Sequence, residues 1–141
     1  MIRSATLEDI PRMVEMGRRF RKESSYNKYL TDNPKCMAEL AKTLISKNGL
    51  IVSERGTLIV GMLGFIIYEH FISGDLLVGE ICWWTEPEFR GEGTKLLIEM
   101  KERARKAGAK FYQMIAPNEK IGRFYEHLGC ELVESTYQGI L

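Results

Sequence analysis

Two glycines one residue apart, Gly91 and Gly93, stand behind an apolar run and at the mouth of an amphipathic one, in Glu86-Pro87-Glu88-Phe89-Arg90-Gly91-Glu92-Gly93-Thr94-Lys95-Leu96-Leu97. Glycine has no Cβ, so backbone N–H groups can close on a ligand there. A helix start adds unpaired donors and the positive end of the helix dipole. The chemistry is anion binding, and pyrophosphate is the anion expected. The run is not a P-loop, because Gly91-Glu92-Gly93-Thr94-Lys95 lacks the Gly-x-x-x-x-Gly-Lys-Ser/Thr spacing. It is not a dinucleotide fingerprint either, since a third glycine is absent and the strands before it form hairpins.

The elements that position this loop can be read from periodicity. Ile2 to Ala5 reads as a short strand, and Thr6-Leu7-Glu8-Asp9 resembles a capping box with Asp in place of Glu. Ile10, Met13, Val14, Gly17 and Phe20 recur at helical spacing, with Pro11 delaying the regular helix. The other face of that helix carries Arg12, Arg18, Arg19, Arg21 and Lys22 and reads as a solvated face. Ser24 to Thr31 reads as a loop. Asn33-Pro34 starts a second helix whose apolar stripe is Cys36, Met37, Leu40, Ala41, Leu44 and Ile45. Leu50 to Glu54, Leu58 to Tyr68 and Leu76 to Thr85 are three strands in an antiparallel meander, with Gly61 and Gly64 marking a bulge or a close backbone approach.

A helix follows the glycine loop through Leu96, Leu97, Met100 and Ala104. Lys110 to Ala116 is a strand parallel to the one before the loop, because a helix crosses between them. A short helix carries Ile121, Phe124, Tyr125 and Leu128, and Glu131 to Tyr137 reads as the last strand. The order is β-α-α-β-β-β-α-β-α-β. This is an α/β domain over residues 1–141 with a mixed, mostly antiparallel sheet and helices on both faces.

This order, with a glycine loop after the third strand of the meander, resembles the GNAT (Gcn5-related N-acetyltransferase) family. The resemblance runs from Ile2-Arg3-Ser4-Ala5-Thr6-Leu7-Glu8-Asp9-Ile10 through Gly91-Glu92-Gly93 to Arg123-Phe124-Tyr125-Glu126-His127-Leu128-Gly129-Cys130. The last stretch is similar to the family's Phe-Tyr-x-x-x-Gly-Phe ending, with Cys130 in place of Phe. The loop departs from the family's Gln/Arg-x-x-Gly-x-Gly/Ala. Either Glu88 holds the Gln/Arg position, or Arg90 does and the loop is two residues short. In both registers the amides of Phe89, Arg90, Gly91, Glu92, Gly93, Thr94 and Lys95 face the anion.

The resemblance implies an N-acetyltransferase that uses acetyl-CoA as cosubstrate and no metal. The acceptor would be a primary amine, on a small molecule or a protein. Trp83, Trp84 and Thr85 match the strand segment that receives the pantetheine arm. Adjacent strand residues face opposite ways, so one indole is expected in the core and the other at the cleft. Tyr125 matches the tyrosine that resembles a general acid toward the CoA sulfur. Asn118 matches a position that helps hold pantetheine, and it also reads as a plain N-cap. Glu80 is the candidate general base, since burial beside two indoles would raise its pKa. His70 and a water relay are the rivals. His127 reads as an exposed residue near a helix end. Tyr26, Tyr29, Phe71 and Trp84 are candidates for an aromatic acceptor cleft. The alternative is a non-catalytic module of the same fold that acts by binding acyl-CoA or a protein.

Bulk properties narrow the partners. A 141-residue chain of formal net charge +1 fits one domain and shows no electrostatic footprint for nucleic acid. Cys36, Cys82 and Cys130 form no Cys-x-x-Cys pair, and two of them fall on apolar faces, which suits reduced thiols in the cytoplasm. No signal-peptide pattern opens the sequence, and no apolar run approaches the roughly 18 residues of a membrane span. Homodimers are common among relatives.

Overall fold

A computed structural model describes residues 1–141. Apolar runs in the middle of the sequence form the sheet. Strand β1 (Ile2–Ser4) pairs antiparallel with β2 (Leu50–Arg55), β2 with β3 (Leu58–Glu69), and β3 with β4 (Leu76–Thr85). Strand β5 (Phe111–Gln113) runs parallel to β4 at the edge, so the order is β1-β2-β3-β4-β5.

Helices cover both faces, which is why β2 and β3 read as continuous rather than alternating apolar runs. Helices α1 (Ile10–Glu23) and α2 (Pro34–Ser46) lie on one face, where Met13, Met16 and Leu44 pack on Leu50, Val52 and Met62. Helix α3 (Gly91–Lys106) lies on the other, where Leu96, Leu97 and Met100 pack on Ile51, Leu63 and Val78. Helix α4 (Glu119–His127) follows β5 and places Tyr125 against Trp83. Both glycines inside β3 sit beside irregularities: the β2–β3 register slips between Ser53, opposite Gly61, and Glu54, opposite Ile59. The β3–β4 register slips between Gly64 and Phe65. A Cβ on Gly64 would also fall 2.9 Å from Cys82 Sγ and 3.0 Å from a Leu44 methyl.

Several expectations need correction. Glu131 to Tyr137 is not a strand; everything beyond Cys130 is exposed and outside the sheet. Leu132 and Val133 are adjacent, so that segment lacks a clean two-residue alternation. The strand it would have to join, β5, has only three residues. Strand β5 itself is shorter than Lys110 to Ala116, because pairing with β4 ends at Gly79 and Gln113. Helix α1 begins at Ile10, after a 3-10 turn at Leu7–Asp9, where Asp9 Oδ2 accepts from the Thr6 amide at 2.8 Å. Ser24 to Thr31 contains a 3-10 turn at Ser25–Lys28. The α2 stripe is narrower than expected: Cys36 and Leu40 are exposed while Ala41 and Leu44 are buried. All three thiols are free, Cys82 and Cys130 half-buried.

The basic face of α1 is not simply solvated. Arg12 and Arg19 both donate to the buried Glu86 carboxylate, at 2.8 Å and 2.6 Å, while Arg18 pairs with Asp32 at 2.9 Å. No helix is long and apolar enough to cross a membrane.

Candidate active site

The site begins where two strands part. Strands β4 and β5 are paired only from Leu77–Phe111 to Gly79–Gln113. Beyond that point β4 keeps β3 as neighbour on one side, with Trp83, Trp84 and Thr85 opposite Leu63, Met62 and Gly61. Its other edge offers backbone N–H and C=O groups to the gap.

Glu80 spans the gap. Its Oε2 accepts a hydrogen bond from the Ile115 amide at 3.1 Å. Burial raises its carboxyl to about 7, and the Ile115 N–H only partly offsets the loss of water. The Tyr125 hydroxyl donates to the Ile115 carbonyl at 3.3 Å. Its ring is 6 % exposed and stacks on Trp83, with centroids 6.3 Å apart. Burial, and to a lesser degree the nearby Glu80 charge, push the Tyr125 phenol well above its ordinary value, so it stays protonated. One backbone residue, Ile115, thus ties a carboxyl of raised pKa and a protonated phenol to one stretch of backbone.

Strand alternation divides the two indoles as expected, and the packing decides which is which. Trp84 is core, among the residues under α1 and α2. Trp83 faces α3 and α4, between Tyr125 and the glycine loop.

In the loop, Pro87–Phe89 forms a 3-10 turn and α3 starts at Gly91. The first amides of a helix have no intrahelical acceptor. The two glycines differ in kind. A Cβ on Gly93 would lie 3.2 Å from Thr85 Oγ1 and 3.3 Å from Trp83, so close packing on β4 favours glycine there. A Cβ on Gly91 would meet nothing within 4 Å, so the protein's own packing does not ask for glycine at that place.

Neither candidate bracing side chain enters the loop. Glu88 is exposed, and the Arg90 guanidinium lies over the Trp84 ring at 4.7 Å and within 3.6 Å of Glu23. The brace is Glu92. Its side chain turns inward, accepts from Ser53 Oγ at 2.7 Å and Lys95 Nζ at 2.8 Å, and pairs with Arg55. Those bonds, Lys95 and Ser53 foremost, hold its carboxyl at about 2. Only its amide remains for an anion. Asn118 caps α4, its Oδ1 accepting from Ile121 at 3.0 Å.

The remaining aromatic and histidine candidates do not converge. Phe71 is 92 % exposed in the β3–β4 turn, where His70 Nδ1 accepts from the Ile72 amide at 3.2 Å. Tyr29 is exposed with Lys28 over its ring, and Tyr26 lines a separate cavity on the α1 side. His127 is exposed.

Sequence reasoning missed Glu86, which carries the chain from β4 into the loop. It is gripped by Arg12 and Arg19, and its amide donates to Val60 at 2.8 Å. Its one sequence signal is a carboxylate directly before the proline that opens the turn.

The parted strands and the helix-capped glycine loop define an acetyltransferase architecture, and the sequence comparison agrees. The model of the acetyltransferase (GNAT) family matches residues 15–130, from within α1 to just past α4, and the chain belongs to that family. No curated protein matches the sequence.

Solved structures match over the whole chain. A transcriptional regulator from Bacillus halodurans C-125 is 24% identical with a TM-score of 0.81, covering 100% of this chain and 99% of that one. A Trypanosoma brucei acetyltransferase is 20% identical at 0.74, with coverage of 100% and 99%. An aminoglycoside acetyltransferase from an uncultured soil metagenomic sample, solved with trehalose, is 19% identical at 0.73, with coverage of 100% and 96%. At these identities the likeness establishes the fold.

Proposed function

We propose that the chain is an N-acetyltransferase that moves an acetyl group from acetyl-CoA to a primary amine by direct attack, with residues 1–141 acting as one domain. The observation that carries this is the gap between β4 and β5, with Glu80 and Tyr125 both bonded to Ile115 inside it. The residues present suit the cofactor's two recognisable parts. The α3 amides from Gly91 onward, with open space over Gly91, suit a pyrophosphate. The free edge of β4 from Trp83 to Thr85 suits an amide-bearing arm, which would pair there as an added strand, with Asn118, the cap of α4, as a further candidate contact.

Acetyl-CoA supplies the acetyl group already activated as a thioester. Glu80, with its carboxyl near 7, takes the proton that the ammonium must lose before it can attack. A backbone N–H on the open edge of β4 donates to the carbonyl oxygen as it gains charge. Tyr125 turns its one O–H from the Ile115 carbonyl, a long 3.3 Å away, to donate to the sulfur as the acetyl group leaves it. Complete proton transfer from this phenol to a thiolate, with thiols ordinarily near 8.5, is uphill. The tyrosine therefore stabilises the departing charge; Glu80 holds the first proton of the ammonium, and the second, shed by the nitrogen once it is bonded to the acetyl carbon, goes to the thiolate.

The test is CoA binding by calorimetry, with CoA release measured across a panel of amines. Binding with amine-dependent release supports the reading. Tight binding with no turnover on any amine points instead to a non-catalytic acyl-CoA module. No binding sinks both.

A further inference from the structure

Between Thr85, the last paired residue of β4, and the inward-turned Glu92 of α3, one side chain is buried: that of Glu86. Pro87, Glu88, Arg90 and Gly91 are exposed, and Phe89 is half-buried. The turn that joins the strand edge to the helix start therefore has a single inward anchor, and that anchor is a carboxylate.

Its partners come from the opposite layer. Helix α3 lies on one face of the sheet and α1 on the other, yet Arg12 and Arg19 of α1 both donate to Glu86 Oε1. Arg12 is itself fixed, its Nε donating to the Ile59 carbonyl of β3 at 3.0 Å and its Nη1 lying 3.1 Å from Glu15. Glu15 also holds Arg19, at 3.0 Å. The backbone of Glu86 is tied on both sides. Its amide donates to the Val60 carbonyl, and its carbonyl accepts from the Phe89 amide, each at 2.8 Å. Pro87 has no N–H, so the next residue cannot anchor the turn through its amide.

Stability alone does not require a charge here. A buried carboxylate must be stripped of water, and a well-packed apolar side chain in its place is often neutral or better. Two guanidinium groups on one carboxylate oxygen supply direction instead, because charge-assisted hydrogen bonds fix geometry as well as energy. The body of α3 is held in another way, by Gly93 against Thr85 and Trp83 and by Leu96, Leu97 and Met100 in the core. The turn before it depends on Glu86.

We propose that Glu86, clamped by Arg12 and Arg19, is a positioning residue for the anion cradle. It sets the turn from Pro87 to Arg90, and with it the amides at the start of α3, at a fixed spacing from the free edge of β4. It touches no part of acetyl-CoA itself. This rests on the acetyl-transfer reading above and adds the residue that keeps the two halves of the cofactor site apart by the right distance.

The test uses three probes, CoA, inorganic pyrophosphate and pantetheine, each titrated into wild type and variants and read by NMR shifts. Pantetheine uses only the β4 edge, which the β3 ladder holds as far as the Gly61–Thr85 pair. Glu86→Gln keeps the shape and removes the charge that both arginines share. CoA and pyrophosphate should bind about ten-fold more weakly to it, with pantetheine unchanged. A merely structural role would weaken all three together.

Arg19→Met decides the matter if Glu86→Gln does not fold. The Arg19 side chain is 47% exposed, and its loss leaves Glu86 paired with Arg12. The same selective loss is expected there, about three-fold. Unchanged CoA affinity in the folded variants, or pantetheine lost in step with CoA, overturns the proposal, as does a wild type that binds no pantetheine. A wild type that binds neither CoA nor pyrophosphate overturns the acetyl-transfer reading itself.

Discussion

The Glu80 carboxylate accepts a hydrogen bond from the Ile115 amide at 3.1 Å, across the point where β4 and β5 part. A side chain thus takes the donor that a β4 carbonyl would take in a longer parallel ladder. The strands are held together and apart by the same contact. The carboxyl is also lifted from 4.5 to about 7, chiefly by burial.

That shift fixes the sign of a stability effect. A folded-state carboxyl pKa above the unfolded value means that the native state binds more protons between about 4.5 and 7, so stability falls as pH rises through that window. Glu80→Gln keeps an oxygen for Ile115 and cannot ionise. Urea denaturation should show the variant equal to the wild type below about pH 4 and more stable at pH 8. The full shift corresponds to roughly 3 kcal/mol, and partial solvation brings the expected gain to about 1–2 kcal/mol. Acetyl transfer by the wild type should rise with pH through about 7, and the variant should lose that limb. A variant that is less stable than the wild type at pH 8 would falsify the placement of Glu80.

Matched substitutions separate the two loop glycines. A valine at Gly91 projects into open space, while one at Gly93 meets Thr85 and Trp83 at 3.2–3.3 Å. Gly91→Val should leave the melting temperature nearly unchanged and weaken CoA binding by about ten-fold or more, as the added carbons cover the α3 amides. Gly93→Val should lower stability by about 1–3 kcal/mol, because well-packed surroundings must shift. Calorimetric titration with CoA and thermal melts on both variants read this directly. Equal loss of stability in the two would refute the division.

Local signals carried most of the reading up to β4. Period and turn residues placed the meander, and Asn33-Pro34 and Asn118 start their helices as their residue types suggest. Long-range pairings were not legible. Glu86 meets Arg12 and Arg19 from 74 and 67 residues away, and nothing local distinguishes those arginines from solvated ones. Glu92 next to Lys95 reads as an ordinary surface pair until Ser53, 39 residues away, draws the carboxylate inward. Tertiary pairing also overrode local propensity at Glu131 to Tyr137. Its β-formers sit beyond the three-residue edge of β5 and find no ladder to join.

Tyr125 offers a test of catalysis against packing. Its ring stacks on Trp83 and lies tilted against Phe124, and its hydroxyl donates only to the Ile115 carbonyl, at a long 3.3 Å. Tyr125→Phe keeps the stacking and removes the donor. Stability should change by no more than about 1 kcal/mol, the net worth of one such hydrogen bond. If Tyr125 supports the departing sulfur, kcat should fall about ten- to a hundred-fold with little change in CoA affinity. A drop in CoA affinity matching the drop in kcat would assign the tyrosine to binding instead.

The Glu92 brace acts on the loop from beneath. Its carboxylate is buried against β2, while its partners Arg55 and Lys95 are each more than half exposed. Replacing it with Gln leaves both cations without a counter-charge and keeps one acceptor for Ser53. Solvent screening of the two cations limits the expected loss at pH 7 to about 1 kcal/mol.

The pH dependence is opposite to that of Glu80. A carboxyl lowered from 4.5 to about 2 contributes stability that is full above its unfolded value and fades as pH falls through its folded one. The gap between wild type and Glu92→Gln should therefore be open at pH 7 and nearly closed at pH 2. In the proposed cradle the Glu92 amide is one of the donors and its side chain fixes where that amide points, so the variant should also bind CoA more weakly at pH 7. Intact CoA affinity in Glu92→Gln would show that Gly91 and the helix start hold the cradle open without the brace.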